Sequence, residues 1–464
     1  GSTGGSTGGS TGGSTGGSTG GGSTSGGSTS VPATYAQSGD SRVIYVSSSE
    51  GNDANSGLAP DQPKKTVAAG IALLRNGFPD WLLLKKGDVW NEGLGAWKKY
   101  GRSASEPIVV WSYGPGTTRP QLRTGSSSAV KCDGGGGTPS LIHSVVFCGL
   151  HFYAHTRDPD GGFFTGTAGS NGVQWLRHSR DIVLDDLLIE SYGNGINVQN
   201  YDTTGIDNFI VRRCVVIDSY STGGHSQGMY ASGVDGLVIE DSVFDKNGWN
   251  EQASGGAPTI YNHNLYLQHD NGLDVIVRRN VISRASSHGI QLRSGGLIED
   301  NVFFRNPIQV FAGYDTPVAG ATAVVRGNLV LEATDISDSL PRGWGITLKN
   351  LVSAQVQNNV VAHVLSNSSH RRSIEVFAFA SYTGNVVYDW PVGSTGKGWG
   401  ETLETGGPWA EPNRSMVTYC QSQGQTGSVS TFYQCVRKQS RDVYDPAFSA
   451  GSLNAYIREG FTSP

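Results

Sequence analysis

Four of the ten histidines, His225, His263, His269 and His288, fall in one stretch of chain with Tyr230, Tyr266 and Arg293. Imidazole and phenol groups move protons, and a guanidinium binds a carboxylate through two parallel hydrogen bonds. Together they suit removal of a proton beside an acid group. Arg293, with His263 or His288, would neutralise the carboxylate, while Tyr230, Tyr266 or an adjacent histidine would take the proton and return it to a departing oxygen. That chemistry is β-elimination on a polymer of uronic acids. A single histidine is more often a turn residue bonding its own backbone, so the argument rests on co-location.

Such groups need a rigid surface, and the chain supplies a repeating one. Seven segments lie over one another: "GINVQN" from Gly195, "GMYASG" from Gly228, "NLYLQH" from Asn264, "GIQLRS" from Gly289, "PIQVFA" from Pro307, "GITLKN" from Gly345 and "SIEVFA" from Ser373. Their second and fourth residues are apolar or small, so period-two alternation points those inward and turns the third and fifth to solvent. The third column reads Asn197, Tyr230, Tyr266, Gln291, Gln309, Thr347 and Glu375, and the fifth Gln199, Ser232, Gln268, Arg293, Phe311, Lys349 and Phe377. Just before the segments stand Asn194, Gln227, His263, His288, Asn306, Trp344 and Arg372.

Amides and hydroxyls match the hydroxyls of a pyranose, and aromatic planes cover its C–H face. The expected polysaccharide-binding residues are therefore His225, Gln227, Tyr230, Gln268, His269, Gln291, Gln309, Phe311, Trp344 and Glu375, around a centre of His263, Tyr266, His288 and Arg293.

A second strand recurs in each repeat, as in "RRNVIS", "EDNVFF" and "QNNVVA", and brings Asn280, Asn301, Asn328, Asn359 and Asn385 into register. Stacked asparagines at a bend satisfy one another and the backbone, which is a structural role. Glycine is the commonest residue at 67 copies and charged residues amount to 16%, a balance for turn-rich β structure. The net charge of −5 gives no global basic field for nucleic acid or an anionic membrane, and no apolar run is long enough to span a bilayer.

Residues 1–40 read as a flexible Gly/Ser/Thr linker, expected either to tether an upstream carbohydrate-binding module or to act as a passive spacer. Residues 41–395 form the repeat domain. In residues 396–464, "TGGPWAEPN" and a Cys420–Cys435 hairpin are expected to cap the open end of the coil. Disulfides Cys132–Cys148 and Cys420–Cys435 are expected for an oxidising, extracellular setting, with Cys214 a buried thiol. No cysteine has zinc-site spacing.

From Val43 the text "VIYVSSSEGNDANSGLAPDQPKKTVAAGIALL" gives a strand, a "G-x-D-x-N-x-G" turn, a "P-x-K-T" step and a short helix ending near Asn76. With the repeat, the asparagine register and the cap, it resembles the pectate-lyase-like superfamily of right-handed parallel β-helix polysaccharide-active enzymes, over about residues 41–464. The resemblance implies an all-β solenoid with an N-terminal capping helix. It also implies Lys349 as a competing base, because related lyases use an Arg or Lys there. Relatives often bind calcium through carboxylates beside the groove. No Asp occupies the third or fifth column, so a mechanism without metal or other cofactor is expected, leaving calcium to loop aspartates such as Asp158 and Asp160. The "D-P-H-D" motif of the superfamily's epimerases is absent, and "DPDGG" at Asp158 is a partial echo.

Hydrolysis would need two carboxyl groups about 5 to 9 Å apart. The mapped face offers Glu375, with Asp270 one step beyond, and loop acids Asp235, Glu251 and Asp315 as reserves. A non-catalytic glycan-binding coil is the alternative from another class, against which the dense titratable patch argues. The expectation is a secreted, monomeric polysaccharide lyase acting on an anionic glycan.

Overall fold

The computed structural model describes residues 35–201, 205–394 and 402–464. The repetitive leader up to residue 34 lies outside the described residues, as does the junction 395–401. Packing starts before residue 41: the Tyr35 hydroxyl donates to Asp185 at 2.7 Å and the Ser38 hydroxyl to Glu106 at 2.7 Å. The linker boundary expected at residue 40 therefore moves back to Tyr35 at least.

Among the described residues, three parallel sheets of 13, 11 and 12 strands run side by side. Each coil contributes a strand to each sheet, and like residues stack. Ile196, Met229, Leu265, Ile290, Val310, Ile346 and Ile374 pair strand by strand and are fully buried. These are the inward positions expected from period-two alternation, and the fold is a right-handed parallel β-helix.

The asparagine register forms a ladder. Asn280, Asn301, Asn328 and Asn359 each donate through Nδ2 to Oδ1 of the next asparagine, ending at Asn385, at 2.9–3.0 Å. Each backbone N–H of the four donates to the same oxygen at 3.0 Å. The residue before each asparagine has positive φ, from 53° at Asp300 to 66° at Gly327. For a non-glycine residue this costs about 1–2 kcal/mol, which the buried hydrogen bonds offset.

At the leading end, Asp53 accepts from the backbone N–H groups of Lys65 and Thr66 at 2.8 and 2.9 Å, closing the turn onto the "PKKT" step. Thr66 then caps helix α1 (Val67–Ala72), accepting from Ala69 N–H. The helix is shorter than the sequence implied. Gly70 faces Val46 and Leu82 so closely that a Cβ would meet them at 2.5 and 2.8 Å.

One sheet is apolar on both faces. Val216, Phe244, Ile282, Phe303, Val330 and Val361 point into the coil, while Val215, Val243, Val281, Val302, Leu329 and Val360 point out. The outward set packs against Met416, Phe432, Leu453 and Ile457 from helices α2 (Met416–Ser422), α3 (Val429–Arg437) and α4 (Ala450–Glu459). Ser415, Ser428 and Ser449 cap these helices through their hydroxyls. The C-terminal cap therefore lies along the side of the coil as three helices, correcting the hairpin over its open end.

One of the two expected disulfides is also corrected. Cys132 belongs to the main interior, whereas Cys148 packs with Trp81, Leu83, Val109 and Val146 in a separate cluster, so no bond joins them. Cys420 and Cys435, on α2 and α3, are thiols in the structure. Cys214 is a fully buried thiol, its pKa pushed up to about 12 by burial.

Candidate functional site

The outer face of the 11-stranded sheet carries the residues singled out from the sequence. Strand pairing sets Gln227 against His263, His263 against His288, Tyr230 against Tyr266, and Tyr266 against Gln291. Beyond Gln291 the register departs from expectation, because Gln291 pairs with Phe311, and Phe311 with Thr347. The segment at Pro307 pairs two residues away from the expected alignment. Gln309 is fully buried, donating to Leu331 O at 2.6 Å and accepting from Asn306 at 2.7 Å, so it supports the coil and is no binding residue.

At the centre, the His263 ring stacks on Tyr266 with centroids 4.5 Å apart and planes 16° apart, and on His288 at 4.5 Å and 28°. Tyr230 meets Tyr266 edge-on at 5.4 Å, and Phe311 meets His288 edge-on at 5.7 Å. The Arg293 guanidinium lies 4.7 Å from the Tyr266 ring centre and 4.5 Å from that of Tyr314, and donates to Gln268 Oε1 at 3.0 Å. His269, exposed, stacks on Tyr314 at 4.8 Å. The result is a surface run of planar groups, Tyr266, Arg293, Tyr314 and His269, in which cation and aromatic faces hold one another.

His263 and His288 are only 3% and 8% exposed. Burial first, then neighbouring His288 and Arg293, holds the His263 imidazole well below its usual pKa. Burial, Arg342 and Arg293 bring His288 down to about 3. Burial thus favours the neutral form of both rings, against the expectation that they bring charge to a carboxylate. Gln227 fixes the His263 tautomer. Its Oε1 accepts from the His263 backbone N–H at 2.7 Å and stands 2.9 Å from Nδ1, while its own Nε2 donates to Tyr261 O at 3.0 Å. The ring proton therefore sits on Nδ1. Gln227, 2% exposed, is a support of the site and not a contact surface.

Other candidates are placed apart. The Lys349 ammonium pairs with Asp315 at 2.5 Å on the exposed rim, which ill suits a base. Glu375, 8% exposed, pairs with Arg372 at 3.1 Å, and burial raises its pKa. The Arg372 guanidinium covers the Trp344 ring at 3.6 Å, with Arg342 at 5.0 Å. His225, exposed, touches Tyr261 edge-on at 5.7 Å. Arg293, Arg342, Lys349 and Arg372 make this face basic against the acidic whole.

Tyr261, Tyr314 and Arg342 were not foreseen, since they lie in turns outside the aligned segments. Tyr314 carried a signal: it follows Gly313, the residue after Ala312, which pairs with Leu292 beside Arg293. For a metal, no cluster of three His, Cys, Asp or Glu side chains forms among the described residues. Asp158, the calcium candidate, accepts from the Tyr153 hydroxyl and from Asp160 N–H.

A family model described as "Right handed beta helix region" matches residues 164–330, the coils that carry most of this face. Fold and match agree on a right-handed parallel β-helix. No curated protein matches the sequence. Similar solved structures include the GH136 lacto-N-biosidase from Eubacterium ramulus, at 14% identity over 78% of this chain and 67% of that one, with a TM-score of 0.38. Pectate lyase Pel9A is similar at 16% identity over 74% and 79%, TM-score 0.45. The alginate lyase from Paenibacillus sp. str. FPU-7 is similar at 15% identity over 79% and 98%, TM-score 0.39.

Proposed function

We propose that this chain is a polysaccharide lyase that cleaves a uronate-containing glycan by β-elimination, with Arg293 and Tyr266 at the reacting sugar. The observation that carries the reading is the setting of Arg293. Its guanidinium rests against the Tyr266 ring and is held by the Gln268 amide, and among the described residues no carboxylate forms an ion pair with it. A cation placed so is ready for a substrate carboxylate.

Arg293 binds the carboxylate on C5 and stabilises the negative charge that develops as the C5 proton leaves. The Tyr266 oxygen, as phenolate, takes that proton. The C5–H electron pair becomes the C4=C5 double bond, the C4–O bond breaks, and Tyr266 passes the proton to the departing oxygen. Burial raises the pKa of Tyr266, which favours the return of the proton. His263, neutral and fixed in tautomer, sets the plane of the phenol. Tyr230, Gln268, Gln291 and Phe311 flank the reacting sugar as binding groups. The setting proposed is that of a secreted monomer, needing no cofactor for these steps.

Mass spectrometry of digests of alginate, pectate and glucuronan tests the proposal. Unsaturated oligomers, lighter by one water than hydrolytic products, are expected. Products that carry the added water would sink it in favour of hydrolysis.

A further inference from the structure

We infer that a cleft at the C-terminal end of the same face is a distal subsite for a second uronate carboxylate, about four or five sugar units from the reacting one. The inference rests on the reading of this face as a uronate-binding one. The cleft, of about 450 Å³, opens between residues 368–372 and 391–393. His370, Arg371 and Arg372 bring cationic or proton-bearing groups to it, Ser368 and Ser369 bring hydroxyls, and Glu375 is its carboxylate.

The balance of charge favours an anion. Arg372 Nε approaches Glu375 Oε2 at 3.1 Å, yet this buried nitrogen makes no aligned hydrogen bond. Among the described residues Arg371 is tied through its turn, Nη1 donating to Ser368 O at 3.0 Å, so two guanidiniums face one carboxylate. Burial raises the pKa of that carboxylate, weakening it as a counter-charge. Trp344, beneath Arg372 at 3.6 Å, fixes the guanidinium plane, and a planar fork so held suits a sugar carboxylate flanked by hydroxyls.

The position fits one polymer. The strands His288–Leu292, Ile308–Gly313, Trp344–Lys349 and Arg372–Val376 are successive neighbours. Three strand spacings come to roughly 14 Å, and one pyranose unit advances an extended chain by about one spacing. Arg372 shares its row with Trp344, Ile308 and His288, five residues along the strand from Arg293 and so roughly 17 Å across the face. A glycan crossing the face obliquely from Arg293 would therefore present another carboxylate at Arg371 and Arg372 after about four or five units. The cleft makes chain length a determinant of specificity.

The test compares oligouronates of three and six units on the full chain. Arg371→Ala and Arg372→Gln are expected to lower kcat/KM for the hexamer roughly tenfold more than for the trimer, mostly through KM. An equal loss on both lengths, or none, overturns the subsite. Arg371 lies in a part-exposed turn, and matched thermal unfolding of Arg371→Gln controls for folding. Should the wild type form no unsaturated product, the lyase reading fails, and calorimetric titration with intact hexauronate then decides the subsite alone. Weaker hexamer binding by Arg371→Ala supports it; unchanged binding overturns it.

Discussion

The His263 imidazole lies flat against the Tyr266 phenol, centroids 4.5 Å apart and planes 16° apart, with its Nδ1 proton directed at Gln227. A buried, neutral ring in that position orients its neighbour and carries no charge itself. The proposed division of labour follows from it: Arg293 would meet the substrate's charge and Tyr266 its proton, while the histidines behind them fix geometry.

Arg293→Ala is expected to lower kcat/KM on a uronate polymer by about 10²–10³-fold, the scale of losing one preorganised stabilising group. Arg293→Lys should recover little, because an ammonium lacks the planar fork. Steady-state kinetics check this, with melting temperature as a control expected to hold, since the side chain is only half-buried at the surface.

Tyr266→Phe is expected to cost about 10²–10⁴-fold in kcat. The pH profile gives the sign independently. The pKa of Tyr266 is raised above its usual value near 10, so the phenolate grows about tenfold per pH unit through the neutral and mildly alkaline range, and activity should climb with it. Were His288 the base, its pKa of about 3 would leave the rate flat across that range. A flat profile contradicts the assignment to Tyr266.

Gln227→Leu removes the acceptor that holds the His263 proton on Nδ1. Nitrogen NMR of the wild-type ring should show the Nδ1–H tautomer, and the substitution should lower kcat more than it changes KM, as for a positioning residue. A wild-type ring protonated on Nε2 contradicts this account.

Asn328→Ala breaks the buried ladder in its middle, removing its bonds to Asn359 and to Ile298 O, and stranding the donors of Asn301. A loss of about 2–4 kcal/mol is expected in denaturant unfolding, with activity of the remaining folded protein intact.

Acid should loosen the lateral helices. Burial alone would raise the pKa of Asp245, but Arg437 of α3 and Arg284 hold it far below the usual carboxylate range. A lowered folded pKa gives stability that is full above the unfolded value, near 4, and lost as pH falls below it. Asp218, also paired with Arg437, shifts upward because burial dominates there, so the acid loss is attributed to Asp245. The melting temperature should fall below about pH 4, and Asp245→Asn should flatten that fall.

The coil was legible because its signals are local and periodic. Alternation in "GIQLRS" or "GITLKN" names the inward residues without a structure, and the spacing of Asn280, Asn301 and Asn328 shows the ladder. Register failed at Pro307, where Ile308, Gln309, Val310 and Phe311 alternate equally well two residues along; only pairing of Gln291 with Phe311 decides between them. The helical cap was hidden for a different reason. Outward Val215, Val243 and Val281 read simply as core, and what covers them lies far along the chain.

The site was legible in composition but not in burial. His263 and His288 sit in the column before each segment, and packing by Tyr266, Phe311 and the turn holding Tyr261 encloses them. Turn residues carry no period, so Tyr314 and Arg342 had none to reveal them.

The most direct measurement follows ultraviolet absorbance of the unsaturated uronate and new reducing ends together, while the protein is incubated with alginate, pectate, glucuronan and neutral glucans and xylans. The account expects both signals to rise in step on a uronate polymer and neither on the neutral ones. Reducing ends without absorbance would contradict it and mark the protein as a hydrolase.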